Sequence, residues 1–287
     1  MKEILIILLC VPLFVMNSFC DKFASTSEKM SDNLNYNACK FMIGSIILFP
    51  VFIIDKSPQF QTGAIICGIV CGLMYTVNKI VILRGYGISS VSFMTLCHAA
   101  GMLAPCILGH FFWNERITAI SLTGVLVTVA SIVILKNNSR GKKINGIGWV
   151  IGLIVFISSG GVMVLQKIMG IYFKDQSIVA YNFYSFVVPT IIMITIAFIK
   201  KEPVAKKYIK RKIVLPATGS AISLCVISLV MTKLAGSIPS ALMFPLFNGT
   251  GIIAVCIGAI FIFKEKMTVK QIGAMFMSII GMCLAAT

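Results

Sequence analysis

Acidic residues are scarce in this sequence. Nine of its 287 residues are Asp or Glu: Glu3, Asp21, Glu28, Asp32, Asp55, Glu115, Asp175, Glu202 and Glu265. None falls in the middle of a long apolar run. A carboxylate deep among membrane helices is the default proton relay and the default anchor for a lipophilic cation. Its absence argues against both. Histidine is almost missing too, with only His98 and His110, and no Cys-x-x-Cys occurs. The ten cysteines therefore spell neither a zinc site nor a disulfide framework. They are expected to be buried thiols acting as small apolar groups. No GxSxG, HExxH or Walker loop is present, and the SSGG at 158–161 is too little for an intramembrane protease. Neither an enzyme nor any cofactor or metal is expected. Charge of either sign is short at 12% of residues, against about 25% in soluble domains. The net charge of +16 does not point to nucleic acid, because the lysines lie beside apolar stretches and carry no binding motif.

The rest of the chain is mostly apolar: 58% of residues are hydrophobic. Crossing a bilayer takes about 20 apolar residues in a helix. Ten runs qualify, at 3–20, 36–54, 62–83, 88–112, 117–135, 147–166, 178–199, 213–233, 237–263 and 269–286. The gaps are short, and none holds a soluble domain. The first run could pass for a signal peptide, or even a lipoprotein leader ending at Cys20. Phe19 is the wrong size before such a cleavage site, and a first membrane helix is expected instead.

The chain also repeats itself. "FFWNERIT" at 111–118 returns as "FIFKEKMT" at 261–268. Residues 98–118 and 248–268 are identical at seven of 21 positions: Gly101/Gly251, Ala104/Ala254, Cys106/Cys256, Ile107/Ile257, Phe111/Phe261, Glu115/Glu265 and Thr118/Thr268. Similarity at a fixed offset marks internal duplication. The expected arrangement is an all-α membrane protein of ten transmembrane helices. It comprises a first five-helix repeat (1–138), a basic linker (139–146) and a second repeat (147–287). Five is odd, so the second copy enters from the opposite face, which makes the repeats inverted. The repeated corner has a local explanation. Thr118 and Thr268 begin the next helix, and Thr268 with Gln271 forms a capping box. Glu115 and Glu265 are expected to meet the dipole of that next helix. A gating role at these four residues is the alternative to a structural one.

Ten spans in two halves, with an acidic E-R/K-x-T corner after each fourth helix ("ERITAISLTG" 115–124, "EKMTVKQIG" 265–273), resemble the drug/metabolite transporter superfamily, and within it the EamA-like family. The resemblance covers the whole chain. It implies a secondary carrier of small metabolites with a cavity lined by helices 1, 3, 4, 6, 8 and 9. It names no solute. One departure is Pro245, 20 residues before Glu265, where Pro105 lies ten before Glu115; the halves are expected to kink at different depths.

The polar groups inside spans are neutral or basic. The substrate-cavity candidates are Asn17, Tyr75, Asn78, Lys79, Thr95, His98, Ser159, Gln166, Lys167 and Asn248. His98 and Asn248 are partners under the 150-residue shift, as a site on a pseudo-two-fold axis would require; a satisfied packing role is the plainer reading of His98. Lys79 and Lys167 lie near span ends, where snorkelling to the headgroups is the ordinary reading. Facing the cavity, they would attract a carboxylate or phosphate. "GIVCG" (68–72) and "GWVIG" (148–152) match small-xxx-small helix packing. The expected solute is neutral, zwitterionic or anionic: an amino acid, a sugar or an organic acid. Efflux of lipophilic cations is the alternative, and a non-transporting receptor or lipid-handling protein a further one. Expected partners are the solute, a coupling ion and membrane lipids. The chain is expected to work as a monomer, with a homodimer as the alternative.

Gaps after odd-numbered spans, counted with their flanks, hold 19 Lys and Arg, and the N-terminus with the other gaps and their flanks holds 6. Cytoplasmic loops are the basic ones. This places 136–146 and 200–212 inside an inner or plasma membrane and both termini outside. The family resemblance implies cytoplasmic termini, so the two arguments conflict.

Overall fold

The computed structural model describes residues 2–24, 30–55, 61–88, 91–115, 118–121, 123, 124, 126, 127, 130, 131, 146–199, 211–263 and 269–285. Among them the regular structure is all helical. The helices are α1 (Lys2–Leu9), α2 (Val11–Ala24), α3 (Met30–Ile54), α4 (Thr62–Ile88), α5 (Val91–Ala100) and α6 (Leu103–Trp113). The helical residues described between 119 and 131 are grouped as α7. Then come α8 (Gly146–Tyr172), α9 (Ile178–Ile199), α10 (Arg211–Ala235), α11 (Ser240–Phe263) and α12 (Val269–Ala285). Among the described residues six stretches are long and apolar enough to cross a membrane: Lys2–Ala24, Leu34–Ile54, Thr62–Ile82, Gly146–Tyr172, Ile178–Ile199 and Ile213–Ala235. Helix is what such sequences must form there, because each backbone N–H and C=O needs a partner within its own segment. Phe111, Phe198 and Phe261 stand exposed, as suits a helix apolar all round and bathed in lipid.

Two expected spans are broken. The run 88–112 divides at Gly101 and Met102 into α5 and α6. Pro105 has no N–H to give, and its ring crowds the carbonyl four residues back, that of Gly101. The chain answers with tighter bonds, from Gly101 N to His98 O (3.2 Å), Met102 N to Ala99 O (3.2 Å) and Ala104 N to Gly101 O (3.0 Å). Pro245, by contrast, lies inside a continuous α11. The first run divides at Cys10, two residues before Pro12. It then continues to Ala24 rather than stopping at residue 20, so Asp21 lies on helix α2.

The chain packs as two compact units, and each draws on both halves of the sequence. One comprises Met1–Val11, Val81–Lys167 and Ile238–Thr287; the other, Pro12–Ile80 and Ile168–Ser237. They are called here the first and second units.

In the second unit α3, α9 and α10 share a core of Leu34, Phe41, Leu48, Phe186, Met193 and Cys225. Phe41 and Phe186 meet edge to face at 5.6 Å. Gly68 and Gly72 bring α4 close to α9: a Cβ on Gly68 would stand 2.7 Å from the Tyr181 carbonyl oxygen, and one on Gly72 2.7 Å from Val188 Cβ. The turn before α9 is tied at both ends. Ser177 Oγ accepts from Ala180 N (2.9 Å) and donates to Asp55 Oδ2 (2.5 Å). Gln176 Oε1 accepts from Ala64 N (2.6 Å), near the start of α4. These side chains satisfy N–H groups that helix starts leave without a partner.

In the first unit Ile82, Phe93, Met94, Cys97, Ile151 and Val155 form the core between the end of α4, α5 and α8. Phe93 packs edge to face on Trp149 at 5.2 Å. A Cβ on Gly160 would stand 2.7 Å from the Gly101 carbonyl, so the broken strip between α5 and α6 lies close against α8.

Candidate functional site

Each unit has its own buried ionic cluster. In the second unit the cluster grows from two pairs spaced one helical turn apart: Asn17 and Asp21 on α2, Tyr36 and Lys40 on α3. Residues four apart share a helix face. Lys40 has no exposed side-chain surface. Its ammonium donates to Asn17 Oδ1 (2.9 Å), Asp21 Oδ1 (2.9 Å) and Asp21 Oδ2 (3.1 Å). Tyr36 donates to Asp21 Oδ1 at 2.7 Å. Ser220, on α10, reaches Asn17 Oδ1 (2.6 Å) and Asp21 Oδ1 (2.8 Å). From α4, Lys79 brings its ammonium to 3.5 Å from Asp21 Oδ2. Isolated charges are costly away from water, and this dense bonding is what makes them tolerable.

In the first unit the pair is Glu115 and Lys167. Glu115 follows α6, where Asn114 turns the chain in the left-handed region (φ 53°). Asparagine tolerates that conformation better than most residues. The Glu115 carboxylate receives Ser240 N on both oxygens (3.1 Å each) and Ser240 Oγ on Oε1 (3.3 Å). A carboxylate thus sits at the positive end of α11. Lys167 Nζ lies 3.1 Å from Glu115 Oε1 and donates to Ile238 O at 2.7 Å. The same ammonium stands 6.0 Å from the Trp113 ring centre.

This arrangement changes several expectations. Lys167 does not snorkel; it is buried against a carboxylate. Lys79 is mostly buried and faces Asp21. Glu115 caps α11. Thr118 does serve the following helix, accepting from Ser121 N at 3.1 Å. Glu265 and Thr268 lie outside the described residues, as do 132–145 and 200–210 of the basic loops.

The other candidates scatter. Asn17 and Lys79 belong to the second unit's cluster. Asn78 is buried beside Lys79. Tyr75 packs its ring on Phe41 (5.7 Å) and Phe186 (6.3 Å) in the apolar core, away from this cluster's bonds. In the first unit Ser159 donates to His98 O at 2.9 Å, closing the gap in the broken helix. Gln166 is buried next to Lys167 in sequence. Asn248 Nδ2 is spent on Phe244 O one turn back (2.9 Å). The Thr95 side chain lies outside the described residues.

Asp21, Tyr36, Lys40 and Ser220 are not among the cavity candidates the sequence suggests. A signal for two of them was present. Lys40 is a charge inside the apolar run 36–54, and an intramembrane charge needs a named partner. Asp21, just past the end of the first run, was available.

Residues 1–136 match the model of the EamA-like transporter family. A solved structure described only as the crystal structure of a protein aligns with a TM-score of 0.72, covering 99% of this chain and 96% of that one. At 14% identity that likeness establishes the fold alone. No curated protein matches the chain. The family expected from the corner motif is thus found over the first 136 residues, and with the membrane-length apolar helices the match is consistent with an integral membrane protein of the drug/metabolite transporter type.

Proposed function

We propose that the protein is a secondary carrier, independent of ATP, that moves a small neutral, zwitterionic or anionic metabolite by alternating access. Two inverted five-helix repeats, 1–138 and 147–287, would supply the two near-equivalent conformations such a cycle needs. The carrier would sit in the plasma membrane with its basic loops in the cytoplasm.

One observation carries the solute class. The two part-buried carboxylates at the clusters, Asp21 and Glu115, each hold a lysine ammonium at 2.9 and 3.1 Å. Neither is left as a bare anchor for a cationic drug. Asp21 is also what favours the rival reading, because it places an acid on the first span. Lys40 neutralises it in the geometry described.

A thermal-shift screen of the purified protein in detergent tests the reading. Amino acids, sugars, nucleosides, organic acids, phosphorylated metabolites and lipophilic cations form the panel. A ligand confined to the folded state adds about 2.7 kcal/mol at 100 times its Kd. Stabilisation by a neutral, zwitterionic or anionic metabolite, followed by liposome uptake of that compound, supports the carrier. Stabilisation by lipophilic cations alone returns the chain to the drug exporters.

A further inference from the structure

Among the described residues the second unit's cluster does not balance its charge. Lys40 and Lys79 face one carboxylate, Asp21. The other groups bonded there, Asn17, Tyr36 and Ser220, are uncharged amide and hydroxyl groups. The two lysines are used differently. Lys40 has its three N–H groups directed at Asn17 and Asp21, so its capacity is filled. Among the described residues the Lys79 ammonium makes no hydrogen bond, and its acidic neighbour is Asp21, with Oδ2 at 3.5 Å. Lys79 keeps 19% of its side-chain surface and Asp21 29%, while Lys40 keeps none. Access to the cluster is therefore on the side of Asp21 and Lys79, away from Lys40.

We infer that Lys79, set against the Asp21–Lys40 pair, is the binding point for the carboxylate of a small monoanionic or zwitterionic solute. This rests on the carrier reading above and narrows its solute class. The charge count selects the ligand. One carboxylate placed against Lys79 cancels the one surplus charge in the cluster, outright for a monoanion and locally for a zwitterion whose ammonium stays outside it. A phosphate dianion would leave a net negative charge among apolar helices, where unpaired charge is costly. An uncharged sugar would leave the surplus ammonium as it is. Asp21 and Lys40 then act as positioning residues: the carboxylate holds the Lys79 ammonium in place, and Lys40 holds that carboxylate through two contacts. On the same helix as Lys40, buried Asn35 has no hydrogen-bond partner on Oδ1 or Nδ2 among the described residues. That is spare polar capacity of the kind a solute supplies.

The test uses the full chain, in detergent for binding and in proteoliposomes for flux. The probes are pyruvate, L-alanine, inorganic phosphate and glucose. Wild type is compared with Lys79→Gln and Lys79→Arg, each first required to match wild type in melting temperature without ligand. The expected result is stabilisation by pyruvate or L-alanine, weakened about tenfold or more in apparent Kd by Lys79→Gln, as loss of a charge-assisted bond implies. Lys79→Arg restores most of it, and the KM for uptake follows the same order. Carboxylate binding that is equal in wild type and Lys79→Gln overturns the site. So does binding of phosphate or glucose with no response to either carboxylate. Lys79-dependent carboxylate binding without flux keeps the site and removes the carrier reading. Flux of glucose untouched by Lys79→Gln keeps the carrier and removes the site. No response to any probe, in binding or in flux, overturns the site for these carboxylates.

Discussion

The Glu115 carboxylate joins Lys167 at 3.1 Å and at the same time holds the first N–H of α11 through both oxygens. Removing it takes away two things together: the partner of a buried ammonium and the cap of a 24-residue helix. We expect Glu115→Ala to cost about 3–5 kcal/mol, the penalty for leaving a buried charge alone. Lys167→Met in the same chain should recover a large part of that loss. Melting of the single and double variants in one detergent gives the coupling energy. A coupling near zero would mean that the pair contributes nothing.

Lys40 and Asp21 make the same argument in the second unit. Lys40→Met leaves Asp21 with Lys79 at 3.5 Å and hydroxyl donors only. The expected loss is again about 3–5 kcal/mol, with partial recovery on adding Asp21→Asn. Ser220→Ala removes a hydroxyl that reaches the Asn17 amide oxygen and the Asp21 carboxylate, and should cost about 1–3 kcal/mol. Chemical denaturation of the three variants orders them. A Ser220→Ala loss larger than that of Lys40→Met would contradict the ionic account.

Gly68 offers a steric test. Its added Cβ would lie 2.7 Å from a backbone oxygen of α9, which cannot rotate away. Gly68→Val is expected to cost about 1–3 kcal/mol or more by overpacking. Gly146→Ala is the control, because among the described residues nothing lies within 4 Å of its added Cβ; it should stay within about 0.5 kcal/mol of wild type. Equal melting of the two variants would remove close helix approach from the account of α4 and α9.

Membrane orientation rests on the uneven spread of 25 Lys and Arg. The basic-loop rule predicts that a reporter active only in the cytoplasm, fused after Thr287, stays silent. An active reporter would place the terminus inside, as the family resemblance implies, and would reverse the loops at 136–146 and 200–212.

Helix was legible because apolar runs of about 20 residues leave the backbone no other partner. The family was legible from the corner around Glu115. The break between α5 and α6 was not, although Pro105 was in view, because a proline in an apolar run can either kink or divide it. Pro245 shows the other outcome in a continuous α11. The ionic clusters were half legible. Lys79 and Lys167 stood out as charges, but their partners did not. Asp21 is distant in sequence from Lys79 and sits just beyond the first apolar run. Glu115 answers Ser240, 125 residues away. Pairing across such separations is fixed by packing, which periodicity along one helix does not encode.

The division of α5 from α6 has an electrical side. A continuous helix keeps its poles at its two ends, each worth about half an elementary charge. Here a negative end falls near His98 and Ala99 and a positive end at Leu103, well inside what reads as one apolar run. His98 O is quenched by Gly101 N and Ser159 Oγ, and Ala99 O by Met102 N. The first N–H groups of α6 receive no side-chain cap from Met102. The chain thereby holds a fixed field at a depth where the sequence places no formal charge.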